Sequence, residues 1–293
     1  MRADEYKLLF RILQIATLAL FLGRAWEHIF WDPPFRALLW SQNLMEGPVK
    51  ALLNMEWKAY VTSPIVDRNI QLLIRLNGIF YLICAILVLF ASRLPKVVFR
   101  FFMVLGSLSL LFLAMLFWKE YFQKFGQFVE YSLQVCTPLF FYFFVTRKDI
   151  TPPLLRAMKI ATAVTFVAHG LYAIGYYVRP GNFLSMFMAV LNVSEDTAVL
   201  LLNLAGAFDF LAAVLIFIPG WPARLGLLYC VFWGFSTSAA RIWAYFYPDF
   251  WQESLFQWTH EFLLRMPHFL IPLLIYLFLY GLQRSAIKAS SNN

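Results

Sequence analysis

Charge is scarce in this chain. Of 293 residues only 14% are Asp, Glu, Lys or Arg, against 61% hydrophobic, and mean hydropathy is +0.68. A sequence so poor in charge lacks the polar surface to enclose its apolar residues as one water-soluble core, so a bilayer is the expected solvent. Cysteine is also rare: Cys84, Cys136 and Cys230 lie in apolar runs without a C-x-x-C or zinc-type His spacing, which argues against dithiol redox chemistry and structural zinc. Neither an H-E-x-x-H spacing nor a Ser-His-Asp order is present, so no metal site is expected and no catalytic set can be named. The net charge of +8 is spread between apolar runs without a basic stripe, which turns the reading away from nucleic acid and towards membrane topology. The 32 Phe and 10 Trp fit helix–lipid boundaries and headgroup anchoring.

What is abundant is long apolar sequence. Crossing roughly 30 Å of hydrocarbon takes about 20 residues of helix. Runs of that kind fall near 8–30, 66–90, 99–117, 128–146, 155–177, 197–218, 224–246 and 261–282. The sequence therefore predicts an all-α polytopic membrane protein of eight transmembrane helices. The first run leads into Arg24-Ala25-Trp26-Glu27 rather than a small-residue cleavage site, so it reads as a retained span. With both termini cytoplasmic, 13 of the 24 basic residues lie inside, Arg284 and Lys288 among them, and seven outside; the positive-inside rule favours that orientation, in a bacterial inner membrane.

The two halves repeat. Residues 11–17 align on 156–162 at an offset of 145, which sets Phe21 on Phe166 and Arg24 on His169; Gly78 falls on Gly206 and Gly106 on Gly234 at an offset of 128. The change of offset is the extra length of the first outer loop. Residues 1–150 and 151–293 thus read as two parallel four-helix copies. In the longer loop, residues 31–65, the apolar spacing predicts two short amphipathic helices broken at Gly47-Pro48 and lying on the outer face, with a shorter counterpart from Pro180 to Val193. Ser63-Pro64 and Ser194-Glu195-Asp196 read as helix starts.

Ionisable residues inside spans are costly and need shelter. Arg24, Glu27, His28, Arg75, Asn77, Gln134, His169, Asn203, Arg241, Arg265 and His268 all fall between the midplane and the outer rim, with Asp209 near the midplane. Arg24, Glu27 and His28 share one helix face, as Glu261, Arg265 and His268 do on the last helix, where Pro267 and Pro272 free carbonyls. The plain alternatives are charge neutralisation within Arg24–Glu27 and Glu261–Arg265, snorkelling at the first helix, and a helix–helix hydrogen bond at His169. Arg75 and Arg241 have no acid nearby in sequence, so their partners come from another helix, a carbonyl or a ligand. Together these residues predict an outward-facing electropositive pocket for a lipid-like or quinone-like ligand, with quinone as the one cofactor suggested. Any catalysis would use His169 or His28 as proton carrier, with Arg75 or Arg241 holding negative charge. A small-solute transporter using Asp209, or an assembly protein whose outer-loop helices dock a membrane or periplasmic partner, are the competing classes. Membrane lipids are partners in every case.

Arg156, then Phe166-Val167-Ala168-His169-Gly170, then Gly206 in the next span resembles the DoxX-like four-helix membrane family. In the first copy Arg24-Ala25 stands in place of His169-Gly170. The resemblance implies four-span units, here duplicated, and a setting near quinone-linked oxidation; the clustered polar residues suggest a subunit of a redox or envelope enzyme.

Overall fold

A computed structural model describes residues 2–281. Arg284, Lys288, the end of the expected eighth span and the C-terminus lie outside the described residues. The described chain is helical and polytopic. Seven spans meet the length and hydropathy of a membrane crossing: α1 (Ala3–Phe30), α5 (Pro64–Leu89), α6 (Lys96–Glu120), α7 (Phe125–Glu130) with α8 (Ser132–Arg147) as one, α9 (Pro152–Ala173), α11 (Glu195–Leu215) and α12 (Trp221–Ala244). An eighth is reached if α13 (Trp251–Leu263) and α14 (Pro267–Tyr276), bent by 43°, count together.

The outer loop differs from expectation. It holds α2 (Phe35–Leu39), α3 (Gln42–Leu53) and α4 (Trp57–Thr62), and α3 runs straight through Gly47-Pro48. A proline forfeits one helix hydrogen bond, and Gly47 has no Cβ to press on the Pro48 ring, so the helix continues there. It stops instead at Asn54, whose left-handed conformation (φ 51°) ends the helix, as Asn192 (φ 53°) ends α10 (Gly181–Leu191). Ser63 and Ser194 do cap their helices, each accepting a backbone N–H at 3.4 Å.

Helices α1, α8, α9 and α14 form the middle of the bundle, joined through Leu13, Phe21, Phe141, Met158, Phe166 and Ile271. Pairing runs alike in both halves: α1 with α5 and α6 with α8, α9 with α11 and α12 with α14. Two glycine seats match residue for residue. A side chain at Gly78 would meet His28 Cβ, Ile29 Cγ1 and the Ala25 carbonyl; one at Gly206 would meet Ala173 Cβ, Ile174 Cγ2 and the Gly170 carbonyl, each 145 positions on. Close approach of the two backbones needs glycine at both.

The last helix is not continuous. Pro267 has no N–H to carry α13 forward, so the chain turns at residues 264–266 and Glu261, Arg265 and His268 do not share one unbroken face. The turn exposes the Arg265 carbonyl, to which His268 Nδ1 donates at 3.0 Å.

Candidate functional site

The polar residues lie towards one end of the bundle, where α1, α9 and α12 finish and α5, α8 and α11 begin. Two clusters form there. In the first, Arg24 is 1% exposed; its Nη1 donates to Glu27 at 2.7 Å and its Nη2 to Gln134 at 2.5 Å, while its guanidinium lies 5.6 Å and 5.3 Å from the Phe117 and Tyr131 rings. His28 Nδ1 donates to the Arg24 carbonyl at 2.8 Å. Burying a charge is tolerable only with such partners, and removing one would leave the other stranded.

The second cluster joins four helices. His169 on α9 donates through Nε2 to Glu130 on α7 at 3.2 Å, and its ring stacks on His268 of α14 at 5.3 Å with planes 7° apart. Arg241 on α12 reaches Glu261 on α13 at 3.3 Å and its own helix at the Thr237 carbonyl at 2.9 Å; Arg265 also pairs with Glu261. Glu261 lies within electrostatic reach of Arg24, and Glu130 within reach of Arg241 and Arg265, so the clusters share one field.

Beside this second cluster is a cavity of about 320 Å³. One wall is apolar: Phe183, Met186, Phe187 and Val190 of α10, Leu202 of α11, and Phe232 and Trp233 of α12. The other carries His169, Asp209, Thr237, Ser238, Arg241, Arg265 and His268. Asp209 is buried and accepts from Tyr229 at 2.9 Å.

No family model, curated protein or solved structure matches this chain. The chemistry of the site therefore rests on its own residues.

Three expected site residues stand apart. Arg75 is exposed on α5, with no hydrogen bond or ion pair among the described residues. Asn203 accepts from Arg179 at 2.8 Å and ties the loop after α9 to α11, outside the cavity. Asn77 accepts from Ser109 at 3.0 Å and borders a separate apolar hollow with Phe35, Leu38 and Phe112. Conversely, Glu130 completes the second cluster without having been placed in the expected set, while Gln134, expected near the outer rim, completes the first. Glu130 is the sole charged residue in the predicted 128–146 span, and that isolation was its signal.

The arginines do not stand alone: Arg24, Arg241 and Arg265 are accompanied by Glu27, Glu130 and Glu261. Each arginine is held by a carboxylate rather than left for an anion.

The hollow of the first half is lined differently. It lies between α2, α5 and α6 and is apolar but for Asn77, with Phe35, Leu38, Leu73, Phe80 and Phe112 around it. Where the second half has Ala173, Asp209, Ala240 and Arg241, the offsets of 145 and 128 bring His28, Tyr81, Phe112 and Leu113. His28 packs on Tyr81 at 5.1 Å and on Phe35 at 5.8 Å, and Phe35 on Phe112 at 6.0 Å.

Proposed function

We propose that this chain is an inner-membrane protein of two parallel four-helix copies whose second copy binds a lipid-like or quinone-like molecule. The observation that carries the reading is the division of the cavity: an apolar wall from α10 and α12 faces a wall of His169, His268, Asp209 and Arg241. A molecule with an apolar body and one polar end satisfies both, whereas a small polar solute would leave the apolar wall wet. The matched glycine seats and helix pairings support the duplication. Kinship with the DoxX-like family, N-terminus inside, and a place beside a redox or envelope enzyme belong to the same proposal; the residues from Phe166 to Gly170 and the distribution of basic residues support them.

Native mass spectrometry of the protein released from micelles tests the binding. Wild type should carry a co-purified amphipath, and Arg75→Ala should carry it equally, because Arg75 lies away from the cavity. Ala240→Phe, which introduces the residue found at the equivalent position of the first half, should lose it. Retention by Ala240→Phe would remove the cavity as the binding place.

A further inference from the structure

The imidazoles of the polar wall have committed their hydrogens elsewhere. His169 Nε2 faces the Glu130 carboxylate at 3.2 Å and His268 Nδ1 faces the Arg265 carbonyl at 3.0 Å. Both partners accept only, so those two nitrogens carry the hydrogens. In a neutral imidazole the second nitrogen is then a bare acceptor. His169 Nδ1 and His268 Nε2 have no protein partner among the described residues, and both rings line the cavity.

The neighbouring hydroxyls repeat the pattern. Thr237 Oγ1 donates to the Trp233 carbonyl at 2.9 Å and Ser238 Oγ to the Gly234 carbonyl at 2.6 Å, which leaves only lone pairs for a ligand. Asp209 Oδ1 is already taken by the Tyr229 hydroxyl at 2.9 Å. On the donor side, Arg241 gives Nε to Glu261 and one Nη1 hydrogen to the Thr237 carbonyl, and Arg265 gives Nη1 to Glu261, so their remaining N–H groups are the donors that border the cavity. The two imidazole nitrogens are acceptors that no hydrogen reaches, and an unmatched buried acceptor is costly.

We propose that the polar end of the ligand is a hydrogen-bond donor, an aromatic hydroxyl of the phenol or hydroquinol kind, whose one hydrogen is received by His169 Nδ1. The aromatic walls at Phe183, Phe187 and Trp233 accommodate the ring that carries it. A ketone, ether or carboxylate end would bring no hydrogen to His169 Nδ1. Glu130 is a positioning residue: by accepting from Nε2 it keeps Nδ1 free to receive the hydroxyl. The inference rests on reading the cavity as an amphipathic site.

Calorimetric titration of the full chain in micelles with para-octylphenol, its methyl ether and para-octylbenzoate separates these ideas. The phenol should bind at least about 10-fold more tightly than the ether, the loss expected for one buried hydrogen bond and its unmatched acceptor. In Glu130→Leu, which releases the choice of tautomer, that ratio should fall towards unity while the ether binds as before, an outcome a merely structural role would not give. Equal binding of phenol and ether by the wild type, or tightest binding of the benzoate, overturns the donor inference and leaves the amphipathic site standing. Failure of all three to bind overturns both.

Discussion

Glu261 should be the keystone of the second cluster, and Glu261→Gln examines that with little change of shape. The Arg241 Nε lies 3.3 Å from its carboxylate, with side chains 7% and 25% exposed. At that separation and an effective dielectric of about 20, the attraction is about 5 kcal/mol before desolvation. Arg265 presses on the same oxygen. Loss of the charge leaves two arginines facing one another, and breaking a buried pair from one side typically costs about 3–5 kcal/mol. Reversible unfolding in mixed micelles, titrated with denaturing detergent, should register a loss in that range. Adding Arg265→Met to Glu261→Gln should cost less than the two single changes together, by about 1–3 kcal/mol, because the second change removes the stranded charge. Unchanged stability of Glu261→Gln, or simple additivity in the double variant, would refute this account of paired charge.

Other outcomes follow from the same structure. Gly78→Ala and Gly206→Ala should each destabilise by about 1–3 kcal/mol, through overpacking against α1 and α9 respectively, and their effects should add because the seats lie in different halves; the same unfolding titration reads both. Arg24→Ala should strand Glu27 and Gln134 and lower stability by about 3–5 kcal/mol, whereas Arg75→Ala should leave the midpoint within error.

The class of fold was legible because apolar length is a direct physical requirement of a bilayer, and the Arg24–Glu27 contact because a spacing of three sets two side chains on one helix face. Arg241 needed a partner from beyond its own helix, and Glu261 supplies it. What sequence could not reveal is the rotation of each helix. On α5 the buried stripe runs Ile70, Ile74, Gly78, Tyr81, Ala85 and Val88, and Arg75 lies beside it. In water a polar face would have marked the outside, but in lipid both faces are apolar, so hydropathy cannot separate the protein side from the lipid side. Asn203 misses the stripe of α11 for the same reason. The Glu130–His169 contact links residues 39 apart on different helices and obeys no local spacing. The break before Pro267 was hidden because the run from 261 to 282 is apolar throughout its later part, and composition does not register a bend.

The central claim is that the hollow beside α10 and α12 holds the amphipathic ligand. A phenol bearing a photoreactive diazirine in its tail, activated in the purified chain and mapped by peptide mass spectrometry, addresses it most directly. Labelling of Phe183, Met186, Phe187 and Trp233, displaced by unlabelled para-octylphenol, is the predicted result. Label confined to the apolar hollow of the first half, at Phe35, Leu38 and Phe112, or label that no competitor displaces, would contradict it.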